Sequence, residues 1–391
     1  MNFINRILET KLKSSIKNYP IVAVIGPRQS GKTTLVKNLF RNFAYQNLEA
    51  PDTRLFAESD PRAFLESSYK DKGLIIDEAQ KVPQLFSYLQ VIVDENKNAK
   101  VILTGSQNFL LHERISQSLA GRIGILRLLP FSFAEIKYKY SCENFAEYIL
   151  NGFYPPIYDR NISPGDWYQN YIQTYLERDV RQLKNIFDLT NFTNFLKLCA
   201  GRIGQLLNIT SLANDCGISV NTAKSWLSVL EASFVIFLLK PYHNNFNKRI
   251  TKSPKLYFID VGLASSLLGL KNTNDILHYH SIGSIFENLI VSEIYKKYYN
   301  IGELPAIYYW RDKTGREIDL ILEFKNKTKV VEIKAGKTIN ENYFSGIDTW
   351  LKVSRDKSSE AYLIYGGNEN QKRSIAEILS WQNVNLIFDK K

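Results

Sequence analysis

At 391 residues, the chain is longer than one ordinary hydrophobic core accommodates, and its length predicts two or three domains. Hydrophobic residues make up 45% and charged residues 23%, a balance that excludes an intrinsically disordered chain. The net charge of +11 favours a polyanionic partner such as nucleic acid, although an excess of lysine also promotes solubility.

Cysteine usage and hydropathy predict a soluble cytoplasmic protein. Cys142, Cys199 and Cys216 are odd in number and lack metal-ligand spacing, which favours a reducing compartment. The first residues mix an acid and bases with apolar side chains, unlike a signal peptide. The longest apolar run, Phe234 to Leu239, is far shorter than the roughly 20 residues that span a bilayer.

A glycine-rich segment between a strand and a helix predicts a phosphate-binding loop. The run from Ile21 to Ile25 is typical of a buried strand, and Thr34 to Phe40 has a helical pattern. Glycines let backbone N–H groups point at phosphate, Lys32 adds catalytic positive charge, and the Thr33 hydroxyl can bind Mg²⁺; the alternative is an ordinary glycine-rich turn. The predicted ATP-binding residues are Gly26, Pro27, Arg28, Gln29, Ser30, Gly31, Lys32, Thr33 and Thr34.

A second predicted strand ends in two carboxylates. Gly73 to Ile76 leads directly into Asp77 and Glu78. Ligands of parallel sheets bind at the carboxyl ends of the strands. We therefore expect Asp77 to hold Mg²⁺ and Glu78 to polarise the water that attacks the γ-phosphate. The alternative is a solvated acidic turn.

A third predicted strand, Lys100 to Leu103, ends in small polar residues. Thr104 or Ser106 resembles the polar residue that senses the γ-phosphate in hydrolases of the AAA+ type, and we predict a catalytic role for Ser106. These hydroxyl groups could equally cap a helix predicted from about Asn108 to Ser118.

Two arginines near the end of that helix are candidates for completing the ATP site of a neighbouring subunit. Such an arginine neutralises charge in the transition state. We favour Arg122 for this role, with Arg114 as the competitor. Either could instead be an ordinary surface arginine.

Together these motifs resemble the prokaryotic AAA-type P-loop ATPases that carry a C-terminal domain of unknown function. The resemblance rests on residues 26–33, 75–80, 103–106 and 119–122 and on the run Leu-Pro-Phe-Ser-Phe-Ala-Glu at 129–135, and it extends over nearly the whole chain. It implies an ATP-binding fold and an intracellular location.

The middle segment predicts a helix-turn-helix inside a winged helix. Thr210 to Ser219 is typical of a capped helix and a glycine turn, and Val220 to Glu231 of a second helix. Phe234 to Leu239 and Lys255 to Ile259 predict strands that flank a basic wing. AAA+ proteins also use winged helices as structural couplers. The predicted DNA-binding residues are Asn221, Lys224, Lys248, Arg249 and Lys252.

The last segment carries acidic residues in a pattern that resembles the PD-(D/E)XK nuclease superfamily. Asp319 lies on one predicted strand, and Glu332 and Lys334 face the same side of the next one. The carboxylates could bind Mg²⁺, and Lys334 could stabilise an activated water. Glu287 matches the helical acid of that superfamily, whereas Ile318 stands where proline is common.

The sequence thus predicts an α/β protein in three parts. These are an AAA-type P-loop NTPase domain with a parallel sheet (1–160), a helical linker with a winged helix (161–270) and an α/β restriction-endonuclease-like domain (271–391). We expect ATP and Mg²⁺ as cofactors, DNA as a partner and a homo-oligomer formed through the ATPase domains. DNA cleavage is left open, because the alternative is an ATP-dependent switch whose last domain is an inactive docking module.

Overall fold

The computed structural model describes residues 4–69, 72–106, 119–176, 189–242, 253–325, 327–354 and 359–389. Across these residues, one large hydrophobic cluster extends from Ile4 to Phe388 and takes side chains from all three segments. The ring of Trp381 packs against the rings of Phe133 and Phe145. The first and last segments therefore contact each other directly.

A parallel five-stranded sheet forms the centre of the first segment. Its strands are β1 (Ile21–Ile25), β2 (Ala44–Asn47), β3 (Leu74–Asp77), β4 (Val101–Gly105) and β5 (Ile123–Arg127). Their order is β2-β3-β4-β1-β5, and every neighbouring pair is parallel. All residues of β1 are buried, as its continuous apolar run predicts for a strand covered on both faces. The predicted parallel sheet is confirmed.

Short helices connect these strands and continue beyond the sheet. They are α1 (Leu8–Asn18), α2 (Lys32–Leu39), α3 (Pro51–Ser59), α4 (Pro61–Ser68), α5 (Leu85–Glu95), α6 (Phe133–Ile136), α7 (Phe145–Asn151) and α8 (Pro155–Asp159). Proline occupies the first turn of α3, α4 and α8, where its missing N–H has no intrahelical partner to lose. The Asp60 side chain caps α4 by accepting from the Ala63 N–H.

The middle segment is mostly helical and contains a two-stranded antiparallel ribbon. Its elements are α9 (Pro164–Tyr171), a π-helical turn (Ile172–Leu176), α10 (Leu189–Ala200), α11 (Ile209–Cys216), α12 (Val220–Ala232), β6 (Ile236–Leu239), β7 (Lys255–Phe258) and α13 (Val261–Leu267), and α14 (Thr273–Leu277) follows at the start of the last segment. Gly217, with φ of 70°, ends α11, and the Ser219 hydroxyl caps α12. The turn chemistry thus places α11 and α12 as the sequence predicts. Lys248, Arg249 and Lys252 lie outside the described residues.

The last segment consists of a long helix and a mixed six-stranded sheet. Its elements are α15 (Ile282–Asn300), β8 (Ile307–Arg311), β9 (Glu317–Phe324), β10 (Lys327–Lys334), α16 (Ser345–Ser354), β11 (Glu360–Tyr365), β12 (Gln371–Lys372) and β13 (Glu377–Ser380). The order is β12-β13-β11-β10-β9-β8. Strands β8, β9 and β10 are successively antiparallel, and β11 returns parallel to β10 after α16.

One local prediction is wrong near the carboxyl end. Its apolar pattern predicts a helix from Ile375 to Leu379, but this stretch contains strand β13, and a 3₁₀ helix (Trp381–Phe388) follows. Ile378 pairs with Leu363 on β11, and both are buried. A short apolar run fits the period of a helix and that of a strand equally well, and here pairing with the buried strand β11 makes it a strand. Within the described residues, no helix has both the length and the apolar character to cross a membrane.

Candidate functional site

The glycine-rich loop lies at the carboxyl end of β1 and turns into α2. Gly31 has a φ of 92°, a conformation that favours glycine, and a Cβ on Gly26 would lie 2.1 Å from the Leu128 carbonyl oxygen. The Lys32 ammonium donates to the carbonyl oxygens of Gly26 and Pro27 at 3.0 and 2.9 Å. The lysine therefore lies inside the loop that is predicted to surround phosphate.

Asp77, at the end of β3, contacts the predicted metal-binding threonine directly. Its Oδ2 accepts from Thr33 Oγ1 at 2.8 Å and from the Tyr45 hydroxyl at 2.8 Å, and its Oδ1 accepts from Thr104 Oγ1. Burial and the Asp77 carboxylate raise the pKa of Tyr45 well above its usual range, so the phenol remains a donor. Sequence reasoning missed Tyr45 because no motif marks it.

Glu78 follows Asp77 with a left-handed backbone, φ 55°. For a residue other than glycine this conformation costs about 1–3 kcal/mol, and such strained residues cluster at functional sites. Ser106 Oγ donates to Glu78 Oε1 at 3.0 Å, and Gln80 Nε2 donates to Oε2. The structure thus separates the two hydroxyl candidates: Thr104 contacts Asp77, and Ser106 contacts Glu78.

A cavity of about 290 Å³ joins this loop to helix α8. Its lining includes Lys32, Glu78 and Ser106 together with Asp159 and Arg160. Sequence reasoning missed Arg160, which lies about 130 residues from the loop in sequence. The only local signal was the adjacent pair of prolines that begins α8.

A buried aspartate of the middle segment positions the chain just before α8. Asp260 Oδ2 accepts from the Phe153 N–H at 2.7 Å, and its Oδ1 accepts from the Tyr168 hydroxyl at 2.5 Å. Burial raises the pKa of Asp260, while its hydrogen bonds act in the opposite direction. The Tyr158 hydroxyl donates to the Gly152 carbonyl oxygen at 2.5 Å. The wall that carries Arg160 is therefore held by residues of two segments.

Arg122 lies away from the loop of its own chain. It precedes β5, whose first residue pairs with the first residue of β1, whereas the loop follows the last residue of β1. Its guanidinium forms a bidentate ion pair with Asp94, at 2.6 and 2.7 Å. Its role at a neighbouring subunit stays a prediction. Arg114 lies outside the described residues.

A chain of buried polar contacts connects the loop to α15. The Arg6 guanidinium donates to the Ser30 carbonyl oxygen at 2.8 Å and to Glu135 Oε1 at 3.0 Å. In the same 129–135 run, the Phe133 N–H donates to Glu293 Oε2 at 2.7 Å. Lys296, one turn further along α15, donates to the Phe131 carbonyl oxygen of the same run at 2.8 Å.

In the last segment, the strands bring three of the four predicted nuclease-like residues together. Lys334 Nζ lies 2.6 Å from Glu332 Oε1 and 3.3 Å from Asp319 Oδ2. The Ile333 N–H also donates to Asp319 Oδ2, at 2.8 Å. Burial and the nearby Asp319 carboxylate raise the pKa of Glu332 to about 8, although Lys334 opposes this shift.

Glu287, the fourth predicted residue, contacts the middle segment. Its Oε1 accepts from the Tyr257 hydroxyl and lies 3.2 Å from Lys255 Nζ, and Lys255 also pairs with Glu317. Burial raises the pKa of Glu287 to about 6, while Lys255 lowers it. In the part of the chain that the structure describes, no three acidic, histidine or cysteine side chains are arranged to hold a metal ion. Sequence reasoning missed Lys255 because it lies in another segment.

The predicted recognition helix presents a mixed polar surface. Asn221 and Lys224 are exposed near the start of α12, and Glu231 is exposed near its end. Trp226 and Leu230 are buried on the opposite side. The exposed face could therefore contact a polar partner without disturbing the core.

Comparisons with known proteins give the chain its family. Residues 18–137 match the AAA domain, and residues 142–274 and 282–384 match two domains of unknown function, DUF8612 and DUF4143. An uncharacterized protein of Mycobacterium tuberculosis is 30% identical over 337 residues, which cover 84% of this chain and 73% of the relative. This chain belongs to that family. It is an AAA-type ATPase with a C-terminal domain of unknown function.

Other proteins are similar to this chain over different shares of its length. An uncharacterized protein of Methanocaldococcus jannaschii is 25% identical to this AAA-type ATPase over 443 residues, covering 98% of this chain and 88% of the relative. A Walker-type ATPase of Pyrococcus abyssi is 16% identical, with a TM-score of 0.46 over 66% of this chain and 94% of that structure. The predicted AAA-type domain is confirmed by the family match, whereas the winged helix and the nuclease-like fold stay predictions.

Proposed function

We propose that this AAA-type ATPase binds ATP with Mg²⁺ at the glycine-rich loop, hydrolyses it with Glu78 as the base, and acts at DNA through its other two segments. One observation carries the ATPase part of the proposal: Lys32, Thr33, Glu78 and Ser106 line a single cavity. The AAA-domain match over residues 18–137 supports the same conclusion.

Binding of the triphosphate follows from the geometry of the loop. The N–H groups at the start of α2 and the positive end of its dipole favour an anion. Lys32 now donates to two loop carbonyls, and phosphate oxygens would replace them as stronger, charged acceptors. The loop thus holds its lysine close to the place where the ligand binds.

The donor set at Asp77 fits a magnesium ion. Thr33 Oγ1 and Asp77 Oδ2 lie 2.8 Å apart, and both are oxygen ligands of the kind that Mg²⁺ prefers. These two residues would hold the ion, which supplies charge neutralisation for the β- and γ-phosphates when bound. The Tyr45 and Thr104 hydroxyls fix the orientation of the carboxylate.

Glu78 carries the hydrolytic step. Its carboxylate accepts a proton from a water whose oxygen attacks the γ-phosphorus, and the bond to the bridging oxygen of ADP breaks. Ser106 and Gln80 hold the carboxylate through one oxygen each. They are positioning residues, because they contact Glu78 rather than the reacting atoms. An arginine from a neighbouring subunit, Arg122 in our proposal, would neutralise the transition state.

The hydrolysis proposal is tested by Glu78→Gln. Phosphate release should be lost, while binding of a fluorescent ATP analogue persists. Glu66→Gln, on the exposed surface of α4, is the matched control and should hydrolyse ATP like the wild type. Unchanged phosphate release by Glu78→Gln would refute the proposed base.

The order of elements in the middle segment supports a winged helix. Helices α10, α11 and α12 are followed by the β6–β7 ribbon, and Ile203 between the first two helices bridges to Leu256 on β7. In this proposal Asn221 and Lys224 contact bases, and the wing lysines and arginine contact phosphates. Binding of a DNA duplex that weakens with salt and with Lys224→Glu would support it, and salt-independent binding would contradict it.

The last segment supports a nuclease-like fold by its connections. Helix α15, antiparallel strands β8 to β10, helix α16 and parallel strand β11 follow each other as in the superfamily that the sequence resembles. Asp319, Glu332 and Lys334 meet on adjacent strands. Whether the domain cuts or only docks is decided by incubating linear and supercoiled DNA with Mg²⁺ or Mn²⁺, with Lys334→Ala as the comparison.

A further inference from the structure

Lys255 lies within the carboxylates of the last segment although it belongs to the middle one. It begins β7, is only 2% exposed, and reaches Glu287 on α15 and Glu317 on β9. A single ammonium group therefore bridges two carboxylates from different elements. A divalent cation between carboxylates would make the same kind of contact.

The ion pairs keep Lys255 charged in spite of its burial. Burial alone would lower the pKa of a lysine, but Glu287, Tyr257 and Glu317 raise the pKa of Lys255 well above its usual range. The ammonium and its carboxylates thus depend on each other, because either would be costly to bury alone.

The remaining carboxylates already have a second ammonium. Lys334 contacts both Asp319 and Glu332. Glu332 Oε2 is buried and, among the described residues, has no hydrogen-bond partner. The acidic cluster thus has two lysines between its members and one carboxylate oxygen that is still unsatisfied. The cluster therefore retains an oxygen that can accept, although no three acidic side chains of the described residues are arranged to hold a metal ion.

We propose that Lys255 is the built-in counter-cation of the carboxylate cluster formed by Glu287, Glu317, Asp319 and Glu332, and that it excludes divalent metal ions from this cluster. The proposal rests on the nuclease-like interpretation of the last segment and deepens it. The C-terminal site is then a composite of two segments. It becomes competent for Mg²⁺ or Mn²⁺ only when Lys255 is withdrawn.

Binding of Mn²⁺ in the absence of nucleotide and DNA tests the proposal. All proteins carry Asp77→Asn, which removes the proposed metal ligand of the ATP site, and free Mn²⁺ is measured by electron paramagnetic resonance. Lys255→Met should bind Mn²⁺ at least about tenfold more tightly than the protein with Lys255. Adding Asp319→Asn to Lys255→Met should abolish the gain.

Lys329→Met is the matched control, since Lys329 is also a buried lysine of the last sheet but pairs with Glu360 instead. It should gain no Mn²⁺ site. Lys255→Arg retains the positive charge and should also stay free of Mn²⁺. Thermal unfolding supplies an independent readout: Mn²⁺ should raise the melting temperature of Lys255→Met and leave that of Lys329→Met unchanged.

Two results would overturn the proposal. One is an Mn²⁺ site, sensitive to Asp319→Asn, in the protein that retains Lys255. The other is Mn²⁺ binding by Lys255→Met that is no tighter than that by Lys329→Met. If Lys255→Met does not fold, Lys255→Gln replaces it in the comparison with Lys329→Met. The test for an Mn²⁺ site in the protein that retains Lys255 does not depend on either variant. A failure of ATP hydrolysis or DNA binding would leave these measurements unchanged, so the two proposals fail separately.

Discussion

Arg6 Nη1 lies 2.8 Å from the carbonyl oxygen of Ser30, so a residue that precedes α1 holds the glycine-rich loop through a buried hydrogen bond. The same guanidinium pairs with buried Glu135 and reaches the Leu129 carbonyl oxygen at 2.6 Å. The nucleotide loop is therefore supported by the 129–135 run through one arginine.

Replacing Arg6 by methionine should both destabilise the protein and weaken ATP binding. The change leaves Glu135 buried without its cation, which costs about 3–5 kcal/mol for a broken buried pair. It also removes the support of the Ser30 carbonyl. Chemical unfolding and an ATP-analogue titration measure the two effects. Arg62→Met, on the surface of α4, should change neither, and an equal loss of affinity in both variants would contradict the specific role of Arg6.

Thr104→Val and Ser106→Ala should have different kinetic effects, since their hydroxyls contact different carboxylates. Loss of Ser106 leaves Glu78 less well oriented, so kcat should fall about tenfold with KM little changed. Loss of Thr104 should instead raise the Mg²⁺ concentration required for half-maximal activity. Steady-state phosphate release over a Mg²⁺ series separates the two, and identical profiles would refute the assignment.

Arg160→Ala should weaken ATP binding. Arg160 lines the same cavity as Lys32, where a hydrogen bond between charged groups contributes about 1.5–3 kcal/mol, or roughly tenfold or more in affinity. ADP should lose less affinity than ATP if the arginine contacts the γ-phosphate. Arg41→Ala, at an exposed position just after α2, is the control. Equal affinities for wild type and Arg160→Ala would remove this residue from the site.

Glu332→Gln should stabilise the protein more at high pH than at low pH. The folded-state pKa of about 8 lies above the ordinary value of 4.5, so the folded state binds the extra proton. The stability that this group contributes is complete below pH 4.5 and is lost as the pH rises through 8. Glutamine does not ionise, so the variant does not lose stability in this way as the pH rises. Its melting temperature relative to wild type should therefore rise between about pH 4.5 and about pH 8 and change little above that, and a constant difference across this range would contradict the shift.

Mixing two inactive variants tests whether Arg122 acts on a neighbour. Arg122→Ala and Glu78→Gln should each lack activity alone. If the arginine acts in trans, a mixed oligomer contains sites with intact Glu78 and a neighbouring intact Arg122, so mixing should restore part of the phosphate release. Asp94→Ala, which frees Arg122 from its ion pair, should remain active. No recovery on mixing would contradict the role in trans.

Local motifs made most of the nucleotide site predictable. Asp77 and Glu78 follow a predicted strand directly, Thr33 ends the loop that follows another, and the carboxyl ends of parallel strands meet at one edge. The meeting of Asp319, Glu332 and Lys334 was equally predictable, because they lie on adjacent strands and side chains alternate along a strand with a period of two.

Arg160 and Lys255 could not be predicted in the same way. Lys255 reaches its site through the packing of separate segments, Arg160 reaches the cavity from about 130 residues along the chain, and neither belongs to a local pattern. The prediction of a helix near Leu379 was wrong for another reason, since a short apolar run does not distinguish a strand from a helix. What escaped prediction was the contact between elements that lie far apart in the sequence.

Helix α15 has a mechanical consequence for the molecule. It has 19 residues, and at 1.5 Å per residue it forms a rod of about 28 Å. Glu293 and Lys296 attach one part of this rod to the 129–135 run, and Glu287 projects into the carboxylate cluster less than two turns away. Any rotation of the helix about its axis would displace Glu287 together with Glu293 and Lys296. A movement at one of the two proposed sites would therefore be transmitted to the other through this helix.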